Sequence, residues 1–221
     1  MQTRLEAMSR LDVPLQKIVL VLGRMLLGLL FFTQLWWKVP PSFGCPADFA
    51  FTTADVNGNL RRTSGLCDWI GIESVWSTRP HPIFVADMRS AGGPLLSLDI
   101  GFLSRGNGLF IDNVVKPNIR VFGFLIWGME AFIFVSLFFG VLTRLGALVA
   151  IFQSLQLWVG LAGISNPGEW EWSYNWIPVL AVLVFAFAPL IVFGVDALLR
   201  PRLKPAADKG GLLSQALYWL T

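Results

Sequence analysis

An all-α integral membrane protein, a bundle of four transmembrane helices with one long extracytoplasmic loop, is the fold this sequence predicts. Three observations predict it. Of 221 residues, 55% are hydrophobic and only 14% are charged, whereas soluble domains carry about 25% charged residues. Four apolar runs reach the roughly 20 residues that a bilayer span requires. The basic residues gather beside those runs, as membrane flanks do. The net charge of +3 therefore does not signal nucleic acid, because the Lys and Arg are few and follow the helix edges.

The first run is Ile18–Trp37, with Arg24 as its one charged residue. It ends in Trp36-Trp37-Lys38-Val39-Pro40 rather than in small residues, so it is expected to stay in the mature protein instead of being cleaved as a signal peptide. The second run is Val121–Leu142, interrupted by Glu130. The third is Leu145–Ile164, with Gln153 and Gln156 as its strongest polar side chains. The fourth is Trp176–Val195 and contains Pro178 and Pro189. A proline there is expected to make a kink that neighbouring helices tolerate. The whole chain, 1–221, reads as one membrane domain, with the outer loop over 38–119 and a cytoplasmic tail over 196–221.

Orientation follows from Lys and Arg. Arg4, Arg10 and Lys17 precede the first run, Arg144 sits in the turn between the second and third, and Arg200, Arg202, Lys204 and Lys209 follow the fourth. The segment Ser165–Asn175 has neither Lys nor Arg and carries Glu169 and Glu171. The positive-inside rule then places both termini in the cytoplasm, and the expected location is the prokaryotic inner (cytoplasmic) membrane. Trp36, Trp37, Trp170, Trp172 and Trp176 all fall at the outer edge, where indole rings settle at the headgroup level.

Within the outer loop, Leu96, Leu98, Ile100 and Phe102 alternate, and Arg105-Gly106-Asn107-Gly108 then precedes Leu109-Phe110-Ile111. An Asn-Gly pair between such runs predicts a β-hairpin. The region from Pro46 to Pro94 reads as loops and short helices. Both cysteines, Cys45 and Cys67, lie in this loop, in a compartment that permits disulfides. A Cys45–Cys67 disulfide acting as a structural staple is expected over a reactive dithiol, since no C-x-x-C spacing supports the second. The one histidine, His81, cannot supply a bis-His haem, and no ligand cluster suggests zinc. No glycine-rich dinucleotide fingerprint follows a strand. No catalytic motif and no covalently bound cofactor are expected; a redox cofactor would belong to a partner or be a diffusible quinone.

The polar residues inside the runs are the candidate site. At 1.5 Å per residue Arg24 lies about 10 Å beyond Lys17, Glu130 about 21 Å from Arg144, and Gln156 about 18 Å from Arg144. Intramembrane charges are costly and usually face the bundle interior in pairs. Arg24 and Glu130, opposite in sign, are expected to be linked directly, through Gln156 or through a water. Two readings stand open: a buried ion pair that fixes helix register, or a polar pocket for a lipid-soluble quinone, with Arg24, Glu130 and Gln156 as contacts and Trp127 as a stacking wall.

Several of these residues fall in motifs similar to those of a known family. They are Gly23-Arg24, Gly28 and Trp37-Lys38; then Lys116-Pro117-Asn118, Glu130 and Phe139-Gly140-Val141-Leu142-Thr143-Arg144; then Glu169-Trp170-Glu171-Trp172-Ser173-Tyr174 and Gly194-Val195-Asp196-Ala197-Leu198-Leu199. Their order resembles the DoxX-like membrane proteins, including the DoxD-type small subunit of thiosulfate:quinone oxidoreductase. Ala188-Pro189-Leu190 stands where family members commonly carry a Gly-Arg pair. The resemblance implies a four-helix membrane subunit associated with a quinone-linked redox system, with membrane lipids and other redox subunits as partners. The alternative is a non-catalytic accessory or assembly subunit of a larger respiratory or photosynthetic complex. A transporter is less favoured, since the chain is short and shows no inverted repeat.

Overall fold

The computed structural model describes residues 2–51, 65–78, 82–88, 93–161, 171–190 and 193–221. Helix α1 runs Gln2–Leu35 and closes in a 3₁₀ turn, Trp36–Lys38. A short helix α2, Leu66–Trp76, precedes strands β1, Pro82–Met88, and β2, Gly93–Asp99. Helix α3, Gly101–Phe110, passes through a π turn, Ile111–Val115, and a 3₁₀ turn, Lys116–Asn118, into α4, Ile119–Phe139. Helices α5, Thr143–Leu161, and α6, Glu171–Phe187, follow; α7, Val195–Asp208, and α8, Leu212–Leu220, form the C-terminal part.

Three stretches, Val13–Lys38, Gly101–Phe139 and Thr143–Leu161, are long and apolar enough to cross a membrane, and Trp176–Leu190 with Val195–Asp208 makes a fourth if that bent pair is one span. Their outward faces are apolar: Val19, Leu22 and Leu26 on α1, Val121, Phe124 and Leu125 on α4, Phe152 and Leu155 on α5, and Val179, Leu180, Val182 and Leu183 on α6 are all exposed. The fourth run breaks rather than kinks. Helix α6 ends at Phe187, a 3₁₀ turn Ala188–Leu190 holds Pro189, and α7 restarts at Val195 bent by 54°. Pro189 has no N–H to continue the ladder, and its ring collides with the carbonyl one turn back. The expected tail beyond Val195 is helical, in α7 and α8.

The described chain divides into two compact units. One comprises Met1–Gln34, Met129–Phe152 and Trp176–Thr221, with a core of Leu27, Phe31, Ile133, Leu137, Ala147, Ala150, Ile177, Ala181 and Val184. Small residues on α5 let its backbone come close to its neighbours. The other comprises Leu35–Gly128 and Gln153–Asn175, with a core of Phe43, Leu66, Cys67, Ile70, Ile111, Val115 and Ile119.

The segment 38–119 contains a hairpin, displaced from the expected one. Strands β1 and β2 pair antiparallel with Pro82 opposite Asp99 and Met88 opposite Gly93, and the ladder has two irregularities. The predicted turn Arg105–Gly108 lies inside α3 instead. Tertiary contacts override its turn chemistry: Gly108 packs on Ser77, where a Cβ would collide with the hydroxyl, and Asn107 spends its amide on Glu73. Cys45 and Cys67 are joined in a disulfide, with Cys67 fully buried. His81 and residues 162–170, which include Glu169 and Trp170, lie outside the described residues.

Candidate functional site

Helix α2 is apolar on nearly every side, and nine of its residues are buried, Glu73 among them. A helix that is hydrophobic all round must be covered on every face, so the single acid in Trp69-Ile70-Gly71-Ile72-Glu73-Ser74-Val75-Trp76 goes inside with its neighbours. Glu73 is 5% exposed. Its Oε1 accepts 2.6 Å hydrogen bonds from Asn107 Nδ2 on α3 and from Gln156 Nε2 on α5. Gln156 Nε2 also lies 3.3 Å from Asn107 Oδ1, closing a triangle of one acid and two amides. Gly160, one turn beyond Gln156, completes the pocket: a Cβ there would collide with the Glu73 carboxyl.

Burial dominates the electrostatics. It pushes the Glu73 carboxyl up to about 7, and the Asn107 and Gln156 hydrogen bonds offset only part of that. Asp68, near the start of α2, is raised for the same reason. A carboxyl that titrates near neutrality can take up and release protons under ordinary conditions. One residue along, Ser74 donates to Asp112 Oδ1 at 2.6 Å, and Lys116 Nζ reaches Ser74 Oγ at 2.7 Å and Asp112 Oδ1 at 2.6 Å. This Ser74–Asp112–Lys116 group ties α2 to the turns that lead into α4. Among the described residues no group of three or more His, Cys, Asp or Glu is placed to hold a metal ion.

The second polar centre belongs to the other unit. Arg24 is 1% exposed, and its Nε and Nη2 have no hydrogen-bond partner among the described residues. Its guanidinium lies against Gly140 and Gly194, whose missing side chains make the room. Both glycines have positive φ, 70° and 127°, which an L side chain rarely adopts. The charge acting on Arg24 is that of Asp196. Asp196 also accepts from the Leu142 and Thr143 backbone N–H groups at 2.8 and 2.7 Å, so it caps the N-terminus of α5 from the start of α7.

Of the four residues expected to line one pocket, three have a partner that can be named. Gln156 belongs to the Glu73 triangle. Trp127 donates its indole N–H to the Leu35 carbonyl at 3.3 Å. Glu130 is buried at 3% exposure. Arg24 feels the opposite charge of Asp196. Sequence reasoning does not single out Glu73, which lies in the region read as loops and short helices, or Asn107, which is read as part of a hairpin turn; the lone acid inside an apolar octet was the available signal. Comparison of the chain with family models, with characterised proteins and with solved structures found no match.

Proposed function

We propose that the chain is an integral membrane subunit of the DoxX-like type, serving a quinone-linked redox system. Its four apolar spans form a bundle in the prokaryotic cytoplasmic membrane, with both termini in the cytoplasm and the Lys38–Ile119 segment outside. Lipid accounts for the exposed apolar faces of α1, α4, α5 and α6, which water would penalise. The family reading rests on the order of the motifs from Gly23-Arg24 to Gly194-Val195-Asp196.

The observation that carries the redox reading is the Glu73–Asn107–Gln156 triangle. Reduction of a quinone to a quinol takes two electrons and two protons, and its carbonyl oxygens need hydrogen-bond donors. The carboxyl that titrates at about 7 supplies a proton-exchanging group, and Asn107 Nδ2, which Gln156 holds in place, keeps one N–H beyond the one it gives Glu73. Electrons come from a partner subunit, with thiosulfate as the donor that the family resemblance suggests. Equilibrium binding of a short-chain ubiquinone analogue to the purified protein in lipid nanodiscs tests this. Saturable binding, weakened at least tenfold by Gln156→Leu, is the expected result. Binding that is absent, or indifferent to Gln156→Leu and Asn107→Leu alike, rejects the quinone reading.

The accessory reading has its own support. Apolar side chains are exposed along α3, beyond the length of α4 that the bilayer can cover.

A further inference from the structure

Helix α3 and the turns after it continue α4 as one apolar helical stretch, Gly101–Phe139, of 39 residues. At 1.5 Å per residue that is roughly 58 Å, whereas the hydrocarbon core is about 30 Å thick. The lower part is the span: Val121 to Phe139 covers about 27 Å. Arg120, exposed at the top of that part with its guanidinium 4.8 Å from the Phe49 ring, is where we set the headgroup level. Phe110 then lies about 15 Å beyond Arg120, and Phe102 about 27 Å beyond it. The headgroup layer is only about 5–7 Å deep. Yet Phe102 is 66% exposed, Leu109 65%, Phe110 49% and Leu103 46%.

Lipid does not reach this surface, and water penalises it. The buried face of the same stretch is the opposite one, carrying Ser104, Gly108, Ile111 and Val115. In the middle of the exposed face stands Gly106, and nothing lies within 4 Å of the place its Cβ would occupy. A glycine between Leu103 and Phe110 opens a notch into which a partner helix can press closely.

Charge decides between partners. Lys116 and Asp112 are paired with each other, and Asp99 lies beside Gly101 near the Arg105 guanidinium, so the face is flanked by Arg105 and Arg120 against the one remaining acid Asp99. A second copy of this chain, related by an axis along the membrane normal, would set Arg105 against Arg105 and Arg120 against Arg120. A different subunit with carboxylates at that level would not.

We infer that the exposed face of Gly101–Val114 docks a helix of a second, different membrane subunit, one that continues out of the bilayer and carries acidic residues opposite Arg105 and Arg120. The inference rests on the membrane reading proposed above. Aromatic docking residues and small notches are typical anchors of such contacts.

Site-specific photocrosslinking of the full chain in its native membrane tests it, with a benzophenone amino acid at Phe102 and, as a lipid-facing control, at Val182. The expected result is lipid adducts at Val182 and a protein adduct at Phe102. The crosslinked peptide should map to an apolar helix of another membrane protein with an Asp or Glu within two turns. Gly106→Trp should cut that adduct at least tenfold while leaving Val182 labelling and the Cys45–Cys67 bond unchanged. Lipid alone at Phe102, a crosslink to a second copy of the chain, no adduct, or a yield indifferent to Gly106→Trp overturns the proposal while the membrane reading stands. Absence of lipid adducts at Val182 overturns the membrane reading, and the docking proposal falls with it.

Discussion

Gln156 on α5 donates a 2.6 Å hydrogen bond to the carboxyl of Glu73 on α2, which Asn107 on α3 approaches equally closely. Three helices therefore converge on one oxygen atom. The carboxyl accepts two donors there and still titrates far above a solvated glutamate, because the penalty of burying its charge exceeds what two neutral amides return.

That imbalance makes stability pH-dependent. The folded-state value of about 7 stands above the ordinary 4.5. Folding therefore favours the protonated acid, and Glu73's contribution is fully present below about pH 4.5 and lost as pH rises through 7. The difference corresponds to about 3 kcal/mol by linkage. Glu73→Gln imitates the protonated acid, since its amide oxygen still accepts from Asn107 and Gln156. The variant's thermal stability in detergent should lack the decline that the parent protein shows between pH 4.5 and 7. Parallel pH profiles for the two proteins would remove Glu73 as the titrating group.

Gly160 is where the triangle meets α5. A Cβ at that position collides with the carboxyl of Glu73, and overpacking of this kind costs about 1–3 kcal/mol. Gly160→Ala should lower the melting temperature. In a Glu73→Ala background the same change should be nearly free, because the clashing atoms are gone. Additive losses in that pair of variants would mean that Gly160 is constrained by something other than Glu73.

The apolar runs were legible in the sequence because a bilayer imposes length and composition directly, and Arg24, Glu130 and Gln156 stood out against that background. The chemistry around them was less legible. Glu73 sits in an apolar octet, but it lies in a region read as loops and short helices, where no periodicity shows which side chains are buried. Asn107-Gly108 has the local signature of a hairpin turn, yet packing against Glu73 and Ser77 holds it in a helix. Asp196 read as the start of a tail, because periodicity does not reveal that the break at Pro189 brings α7 back beside the α4–α5 turn. In each case a long-range contact outweighed the local pattern.

The cysteine pair is expected to behave as a staple. Cys45 and Cys67 are 22 residues apart and bonded, and Cys67 N–H also points at the Cys45 sulfur at 3.2 Å. A crosslink closing a loop of that length stabilises by about 3 kcal/mol in the chain-entropy model. Replacing both cysteines with alanine should lower the melting temperature and leave quinone-analogue binding within twofold of the parent. Loss of that binding at an unchanged melting temperature would instead mark the pair as a reactive dithiol.

The last prediction concerns Arg24 and Asp196. Asp196 keeps two backbone donors, from Leu142 and Thr143, and the positive end of α5 even when Arg24 is gone. Arg24 is less well supported: among the described residues its Nε and Nη2 lack hydrogen-bond partners, and Gly140 and Gly194 offer it space rather than charge. Removing the acid should therefore hurt more than removing the base. Asp196→Asn should cost about 3–5 kcal/mol by leaving a buried cation uncompensated, and Arg24→Met should cost less. The double variant should recover part of the Asp196→Asn loss, with a coupling of about 1 kcal/mol or more. Run beside it, the Arg24→Met and Glu130→Gln cycle should show a smaller coupling. Thermal unfolding of the six proteins in one detergent decides the matter. A coupling to Glu130 that equals or exceeds that to Asp196 would restore the ion pair that the two intramembrane charges suggest from sequence and would remove Asp196 from that role.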